Sequence, residues 1–246
     1  MLRQAPGFWR QATVLILLHG PGRSAEWTRI GTEARSPKPE AVEEAMVILL
    51  AVLLGYLVGS VPFAFLLSRR RGIDLRTVGS GNVGASNVLR TSGVRMAAAA
   101  MCLDGVKGAV AVLVAQRIAT GPTPPVAAGV AAIVGHIYPI WLGWRGGKGV
   151  ATSAGMFAVL APAALAIAGG VFIIGVSVTR YISVGSLAGV ITLAIATAAS
   201  GAPPAVIVGA LLTALLVIYG HRGNISRLRS GTERRIDQRL FVIRDS

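Results

Sequence analysis

Four polar, glycine-bearing stretches interrupt an otherwise apolar sequence, and their residue types suit the binding of anions. The first, residues 78–90, reads VGSGNVGASNVLR. Its glycines permit backbone conformations in which successive N–H groups point at one anion, and its polar side chains add donors and a fixed guanidinium. A phosphate cradle and a solvated loop that caps the next helix both fit this pattern. The candidate ligands here are Gly79, Ser80, Gly81, Asn82, Gly84, Ser86, Asn87 and Arg90.

The second stretch, residues 145–152, reads RGGKGVAT and surrounds Lys148 with glycine. Such a sequence opens a helix whose unpaired N–H groups and dipole favour an anion, with the lysine as a point charge. A lysine that anchors a membrane span explains Lys148 equally well. The candidate ligands are Gly146, Gly147, Lys148 and Gly149. His136, further upstream in an apolar run, is expected to be a hydrogen-bonded core residue.

The third and fourth stretches add hydroxyl, amide and imidazole groups. Residues 180–186 read RYISVGS, in which Ser183 and Ser186 either bind ligand oxygens or cap the next helix. Residues 221–233 read HRGNISRLRSGTE, and His221 and Asn224, three apart, share a face of a continuing helix. Attraction to an anionic lipid leaflet explains most arginines of this last stretch.

Asp104 and Lys107 lie inside an apolar segment, three residues apart. Unpaired charges at that depth are costly, so the two are expected to pair with each other and face the interior of a helix bundle. A structural role is the simpler interpretation, and a relay in a transporter is the alternative.

The composition shows what kind of scaffold carries these residues. The chain has 246 residues, 53% of them hydrophobic and only 14% charged, with a formal charge of +14. In a soluble protein that charge would indicate nucleic acid as partner, but here the charges lie between apolar runs, where they set membrane orientation. No Cys, His, Asp and Glu cluster has the spacing of metal ligands.

The apolar runs predict an all-α fold, a polytopic transmembrane bundle of seven helices. The fourth run reaches only about 20 Å and is expected to be a broken or shortened span inside the bundle. The predicted segments are 46–68, 96–118, 125–143, 149–161, 163–179, 183–200 and 203–220.

Arginine and lysine concentrate between the segments on one side, whereas the other side has little beyond Arg117. The positive-inside rule makes the basic side cytoplasmic, with the N-terminus outside and the C-terminus inside. All four polar stretches then face the cytoplasm. Residues 1–45 do not fit this pattern and are expected to be a disordered leader or the product of a mis-assigned start, so the domain is predicted at 46–246.

The polar stretches resemble motifs of the PlsY family of bacterial acyl-phosphate:glycerol-3-phosphate acyltransferases. Besides GSVPF at 59–63, the motifs are GIDLRTVGSGNVGASNVLR at 72–90, GH with GGKGVAT within 135–152, and HRGNISRLRSGTE at 221–233. The resemblance implies a seven-helix enzyme of the plasma (inner) membrane, with its site on the cytoplasmic face. Such an enzyme transfers a fatty acyl group from acyl phosphate to the sn-1 hydroxyl of glycerol 3-phosphate, giving lysophosphatidic acid and phosphate.

The resemblance also implies which residues act. By the family pattern the catalytic set is Ser80, Arg90, Lys148, Ser186, His221 and Asn224, with Ser183 as the alternative serine. His221 would orient the substrate and bind phosphate rather than act as a base. The implied partners are acyl phosphate, glycerol 3-phosphate, the bilayer and, transiently, the cytosolic enzyme that makes acyl phosphate. No metal, cofactor, acyl carrier protein, acyl-CoA or nucleic acid is implied.

A membrane transporter of phosphate or a phosphorylated small molecule is the rival class, because glycine-broken helices also form anion sites near the bilayer midplane. A transporter predicts polar motifs on both sides and an inverted repeat, and the sequence has neither.

Overall fold

A computed structural model describes residues 39–236, and every regular element in that range is helical, as predicted. All seven predicted apolar segments lie on helices, and a 3₁₀ turn, Ile140–Leu142, extends one of them. The helices are α1 Pro39–Ser60, α2 Phe63–Arg69, α3 Ala85–Ser92, α4 Val94–Ile118, α5 Thr123–Ile137, α6 Val150–Leu160, α7 Pro162–Thr179, α8 Ile182–Ala199, α9 Pro204–Gly220 and α10 Arg222–Arg229.

Five of these helical units are long and apolar enough to cross a membrane, against the seven spans predicted. A sixth span results if α9 and α10, bent by 56° at His221, are taken together. The predicted fourth segment is the short helix α6, whose 11 residues reach only about 16 Å. The sequence therefore predicted correctly that this segment is too short to cross a bilayer unaided.

The first helix begins earlier than the sequence suggested. α1 starts at Pro39, seven residues before the predicted boundary at Met46, and carries exposed Glu40, Glu43 and Glu44. Residues 1–38 of the predicted leader lie outside the described residues.

The outward faces of the later helices are apolar. Ile173, Ile174 and Val178 on α7 are 63%, 63% and 77% exposed, and Ile195 and Leu215 on α8 and α9 are similarly open. A soluble protein rarely exposes so many large apolar side chains together, whereas lipid solvates them. The surface therefore agrees with a helix bundle embedded in a bilayer.

The short helix α6 lies at the centre of the fold. Its Met156 and Phe157 are fully buried, and its backbone approaches that of α4 through glycine. A Cβ added at Gly155 would lie 1.8 Å from the carbonyl oxygen of Gly105. Because only glycine permits this approach, α6 packs closely against α4 even though it is short.

The Gly155→Ala variant should therefore lower the unfolding temperature of the purified protein, because its methyl group must push α4 and α6 apart, at a cost of about 1–3 kcal/mol. Gly169→Ala is the matched control, since Gly169 lies within α7 and nothing is within 4 Å of its added Cβ. That control should leave stability unchanged or raise it by up to about 1 kcal/mol. Thermal unfolding in detergent measures both, and equal midpoints would contradict the close packing of α6.

Candidate active site

Three of the four polar stretches meet around one cavity of about 420 Å³. The stretches begin far apart in the sequence, after α2, after α5 and after α9. The predicted site residues that line the cavity are Ser80, Asn82, Arg90, Gly146, Gly147, Lys148 and Asn224. The structure thus brings together four of the six residues predicted to be catalytic.

In the first stretch, a buried amide fixes the loop that carries Ser80. Asn87 is fully buried, and its Oδ1 accepts the backbone N–H of Ser80 at 2.9 Å. Its Nδ2 donates to the carbonyls of Leu75 and Val78, both at 3.1 Å. Asn87, predicted to bind substrate, instead braces the loop and does not line the cavity. Positive φ angles at Gly79 and Gly81, 64° and 70°, allow the tight turn on either side of Ser80.

In the second stretch, the chain folds back onto the end of α5. The N–H groups of Gly146 and Gly147 donate to the carbonyls of Ile137 and His136, each at 3.0 Å. Asn82 Nδ2 donates to the carbonyl of Gly146 at 3.3 Å and joins the first stretch to the second. This geometry places Lys148 at the edge of the cavity, just before α6 begins.

The glycine N–H groups predicted to cradle phosphate are in part already engaged. Besides those of Gly146 and Gly147, the N–H of Gly81 donates to the carbonyl of Val78 at 3.1 Å. These three N–H groups already donate to protein carbonyls, because the tight turns that need glycine also use its donor. Binding of an anion in the cavity therefore falls mainly to side chains.

Lys148 is held by an amide and lies among other cations. Its Nζ donates to Oδ1 of Asn224 at 2.5 Å. Burial is the main cause that lowers the pKa of Lys148 to about 8; the Glu233 carboxylate opposes this shift, and the guanidinium groups of Arg227 and Arg90 contribute to it. Lys148 is thus a cation that a bound anion would stabilise.

Glu233, which sequence reasoning did not assign, joins the third and fourth stretches. Its carboxylate accepts hydrogen bonds from Asn224 Nδ2 at 2.5 Å, Arg227 Nε at 2.7 Å and Ser183 Oγ at 2.9 Å. Burial alone would raise the pKa of Glu233, but these three donors hold it below its ordinary value. The signal was present, because Glu233 is the single acidic residue in the basic stretch 221–233.

The cavity carries a large excess of positive charge. Among residues 39–236, six cationic side chains and one carboxylate line it, which leaves an excess of five positive charges. Four of the cations were not among the predicted site residues: Arg145, Arg222, Arg227 and Arg234. Within residues 39–236 no group of three His, Cys, Asp or Glu side chains is placed to hold a metal ion. The lining chemistry favours an anionic ligand.

Two predicted catalytic residues do not reach the cavity. Ser186, the serine preferred from the sequence, donates to the carbonyl of Ile182 in its own helix at 2.9 Å, and it is Ser183 that reaches the site network. His221 is buried, and its Nδ1 donates to the carbonyl of Val217 at 2.8 Å. The helix face that a residue presents cannot be read from its spacing alone, so the sequence left Ser183 open as the alternative to Ser186.

The remaining predicted ligands also lie away from the cavity lining: Gly79, Gly81, Gly84, Ser86 and Gly149. Gly149 begins α6 in a left-handed conformation with φ of 84°, so its role is to turn the chain. The pairing of Asp104 with Lys107 and the burial of His136 are both confirmed.

Comparison with known proteins identifies the family to which this chain belongs. The sequence model of glycerol-3-phosphate acyltransferases matches residues 49–231, which include the first two stretches that line the cavity and residues 221–231 of the last one. The chain belongs to this family. The glycerol-3-phosphate acyltransferase of Myxococcus xanthus is 50% identical over 188 residues, covering 75% of this chain and 97% of its own. That of Brucella anthropi is 44% identical over 194 residues, covering 78% and 94%.

Two crystal structures of PlsY, an integral membrane glycerol 3-phosphate acyltransferase, share the fold. The glycerol 3-phosphate form has a TM-score of 0.74 and 35% identity, covering 77% of this chain and 96% of that one. The lysophosphatidic acid form has a TM-score of 0.73 and 34% identity, covering 77% and 95%. The resemblance to this acyltransferase family, which the sequence motifs indicated, is confirmed.

The pKa of Lys148 predicts how anion binding depends on pH. Since that pKa is lowered to about 8, raising the pH from 7 to 9 should discharge the lysine and weaken the binding of inorganic phosphate by up to about tenfold. Lys148→Arg keeps its charge over this range and should not show this loss of affinity. Phosphorus NMR titrations at both pH values measure the affinity. Parallel pH dependence in the two proteins would show that Lys148 is not the titrating ligand.

Proposed function

We propose that this chain transfers an acyl group from acyl phosphate to the sn-1 hydroxyl of glycerol 3-phosphate, releasing lysophosphatidic acid and inorganic phosphate. The observation that carries the proposal is the cavity in which Ser80, Arg90, Lys148 and Asn224 meet, in a chain of the glycerol-3-phosphate acyltransferase family. The related PlsY structures in glycerol 3-phosphate and lysophosphatidic acid forms support the acceptor and the product.

The charge of the cavity supports a donor that is itself a phosphate. Glycerol 3-phosphate and acyl phosphate both carry negative charge, and bringing them together is unfavourable unless cations lie between and around them. An excess of five positive charges suits two phosphates better than one. Guanidinium groups bind phosphate through paired N–H donors, and Lys148 adds a point charge.

The acidic and imidazole groups are already hydrogen-bonded within the protein, and this supports a mechanism in which the substrate itself accepts the proton. Glu233 is the only carboxylate that lines the described cavity, and it already accepts three hydrogen bonds. His221 has its Nδ1 turned to a helix carbonyl. In the proposed step the glycerol hydroxyl oxygen attacks the acyl carbonyl carbon and forms the ester. The bond from acyl carbon to phosphate oxygen breaks, and the leaving phosphate takes the hydroxyl proton.

We assign the substrate contacts to the residues that face the cavity. Arg90 and Lys148 neutralise phosphate and the charge that develops on the carbonyl oxygen, while Ser80 and Asn224 donate hydrogen bonds that orient the reacting groups. Ser183, held by Glu233, replaces Ser186 as the serine that supports the site. Acyl phosphate would be delivered from the cytosolic enzyme that makes it.

The donor assignment predicts that purified protein turns over acyl phosphate but neither acyl-CoA nor acyl carrier protein thioesters. Arg90→Ala and Lys148→Ala should lower phosphate release at least about 100-fold, because each removes a charged ligand of phosphate. Arg117→Ala is the matched control, since Arg117 is exposed at the end of α4 and does not line the cavity. Turnover of acyl-CoA at a comparable rate would refute the donor, and full activity of both variants would refute the site.

We propose further that the chain crosses the plasma (inner) membrane seven times, with its N-terminus outside and the cavity facing the cytoplasm. Arginine and lysine cluster in the loops that carry the cavity residues, which supports this orientation. The seven crossings count α6 as a short span buried in the bundle and α9 as a full span.

In a Cys102→Ala background, single cysteines at Ser230 and Thr77 should therefore resist an impermeant maleimide in intact cells. Cysteines at Thr120 and Ser200 should react, because those loops would face outward. All four positions are exposed, so reaction after membrane permeabilisation is the control for accessibility. Labelling of position 230 in intact cells would contradict the orientation.

A further inference from the structure

A buried ionic cluster lies behind the glycine turn of the second stretch. Asp104 and Lys107 of α4 form an ion pair at 2.9 Å, with both side chains only 2% exposed. Nδ1 of His136 on α5 lies 3.5 Å from Oδ1 of Asp104. Lys107 Nζ also donates to the carbonyl of Val61, between α1 and α2, at 2.9 Å. The cluster connects three separate parts of the bundle.

His136 links this cluster to the active site. Its backbone carbonyl accepts the N–H of Gly147, and a methyl group added at Gly147 would lie only 2.1 Å from Nε2 of the ring. The imidazole is therefore enclosed between the Asp104 carboxylate on its Nδ1 side and the backbone of Gly147 on its Nε2 side. Lys148, which follows directly, lines the large cavity.

The cluster itself is closed to substrate. A separate cavity of about 10 Å³ is bounded by Ser60, Asp104, Lys107, His136 and Gly146 among others, and such a space holds about one water molecule. None of the three charged or titratable residues lines the large cavity. Burying an ion pair gains little stability on its own, so a specific geometric task is the better reason for this one.

We propose that Asp104, paired with Lys107, orients His136 so that its ring and carbonyl fix the Gly146–Gly147 turn and aim Lys148 into the cavity. Asp104, Lys107 and His136 are thus positioning residues that act through Lys148. The inference rests on the proposed function only in taking phosphate as the ligand of Lys148.

Two variants test the proposal without leaving a lone buried charge. Asp104→Asn with Lys107→Met removes both charges together, and His136→Phe keeps a ring of similar size but removes the Nδ1 donor. Each should weaken the binding of inorganic phosphate about tenfold, roughly the effect of losing one charged hydrogen bond, and should lower kcat/KM in parallel. Phosphorus NMR titration of the detergent-purified protein gives the affinity, and thermal unfolding shows that the protein is folded.

Thr197→Val is the matched control for a buried polar change. Thr197 is fully buried with an unpartnered hydroxyl, and it lies 14 residues along α8 from Ser183, about 21 Å away. It should bind phosphate as the parent protein does. A purely structural cluster would change the unfolding temperature but not the affinity of the folded protein.

Affinity within twofold of the parent in folded variants would overturn the proposal, and so would failure of both variants to fold, because the cluster would then belong to the core alone. A parent protein that binds phosphate but does not acylate glycerol 3-phosphate would refute the proposed function. The positioning test would still stand in that case, since its readout is phosphate affinity.

Discussion

Mutual repulsion among cations is the constraint on which the rest of this site depends. Six cationic side chains of the described residues surround one cavity, and their repulsion would move them apart unless the protein held them in place. Glu233 is the main counter-charge, because its carboxylate binds Arg227 directly and reaches Lys148 through Asn224. The remaining excess is left for the ligand. Two bound phosphates would neutralise the positive charge that Glu233 leaves uncompensated. The small number of carboxylates therefore favours the binding of anions.

The short helix α6 makes the arrangement compatible with a membrane. A polar turn such as 145–149 is tolerated near the bilayer only when its backbone groups are satisfied by protein. The end of α5 provides those partners, and glycine contacts between α4 and α6 seat the short helix deep in the bundle. Because α6 does not extend the full thickness of a bilayer, the turn before it can lie where Lys148 faces Asn224. The shortness of α6 accounts for one of the two apolar segments that are not long enough to span alone; the other is α9, with 17 residues.

The fold was largely predictable because a membrane imposes a simple physical rule on sequence. Long apolar runs must be helices, and charges and glycines mark their ends, so every predicted segment lies on a helix in the described residues. Ser80, Arg90, Lys148 and Asn224 were grouped by resemblance to the acyltransferase motifs, and the structure places all four around one cavity. Their spacing alone left a solvated loop or a membrane anchor as equally good interpretations of the first two stretches. Ser183 could not be separated from Ser186, since the choice depends on where the chain after α10 returns against α8. Glu233 was missed for the same reason: its partners lie 50 and 9 residues away, at Ser183 and Asn224.

Polar residues at this site divide into those that face the cavity and those that hold the others, and residue type does not tell them apart. Asn82 lies in the loop before α3, and Asn87 lies five residues later within α3. Asn82 lines the cavity, whereas the oxygen and nitrogen of the Asn87 amide both form hydrogen bonds to the backbone of that loop. The difference follows from burial, because a fully enclosed amide must satisfy its donors and acceptor within the protein. The glycine turn of the second stretch obeys the same rule, because its N–H groups donate to carbonyls of α5. The groups that remain free to contact a ligand are cations and the hydrogen-bond donors of hydroxyl and amide groups. Among the described lining residues no base is unengaged. Such a set suits a reaction in which the phosphate released from acyl phosphate accepts the proton.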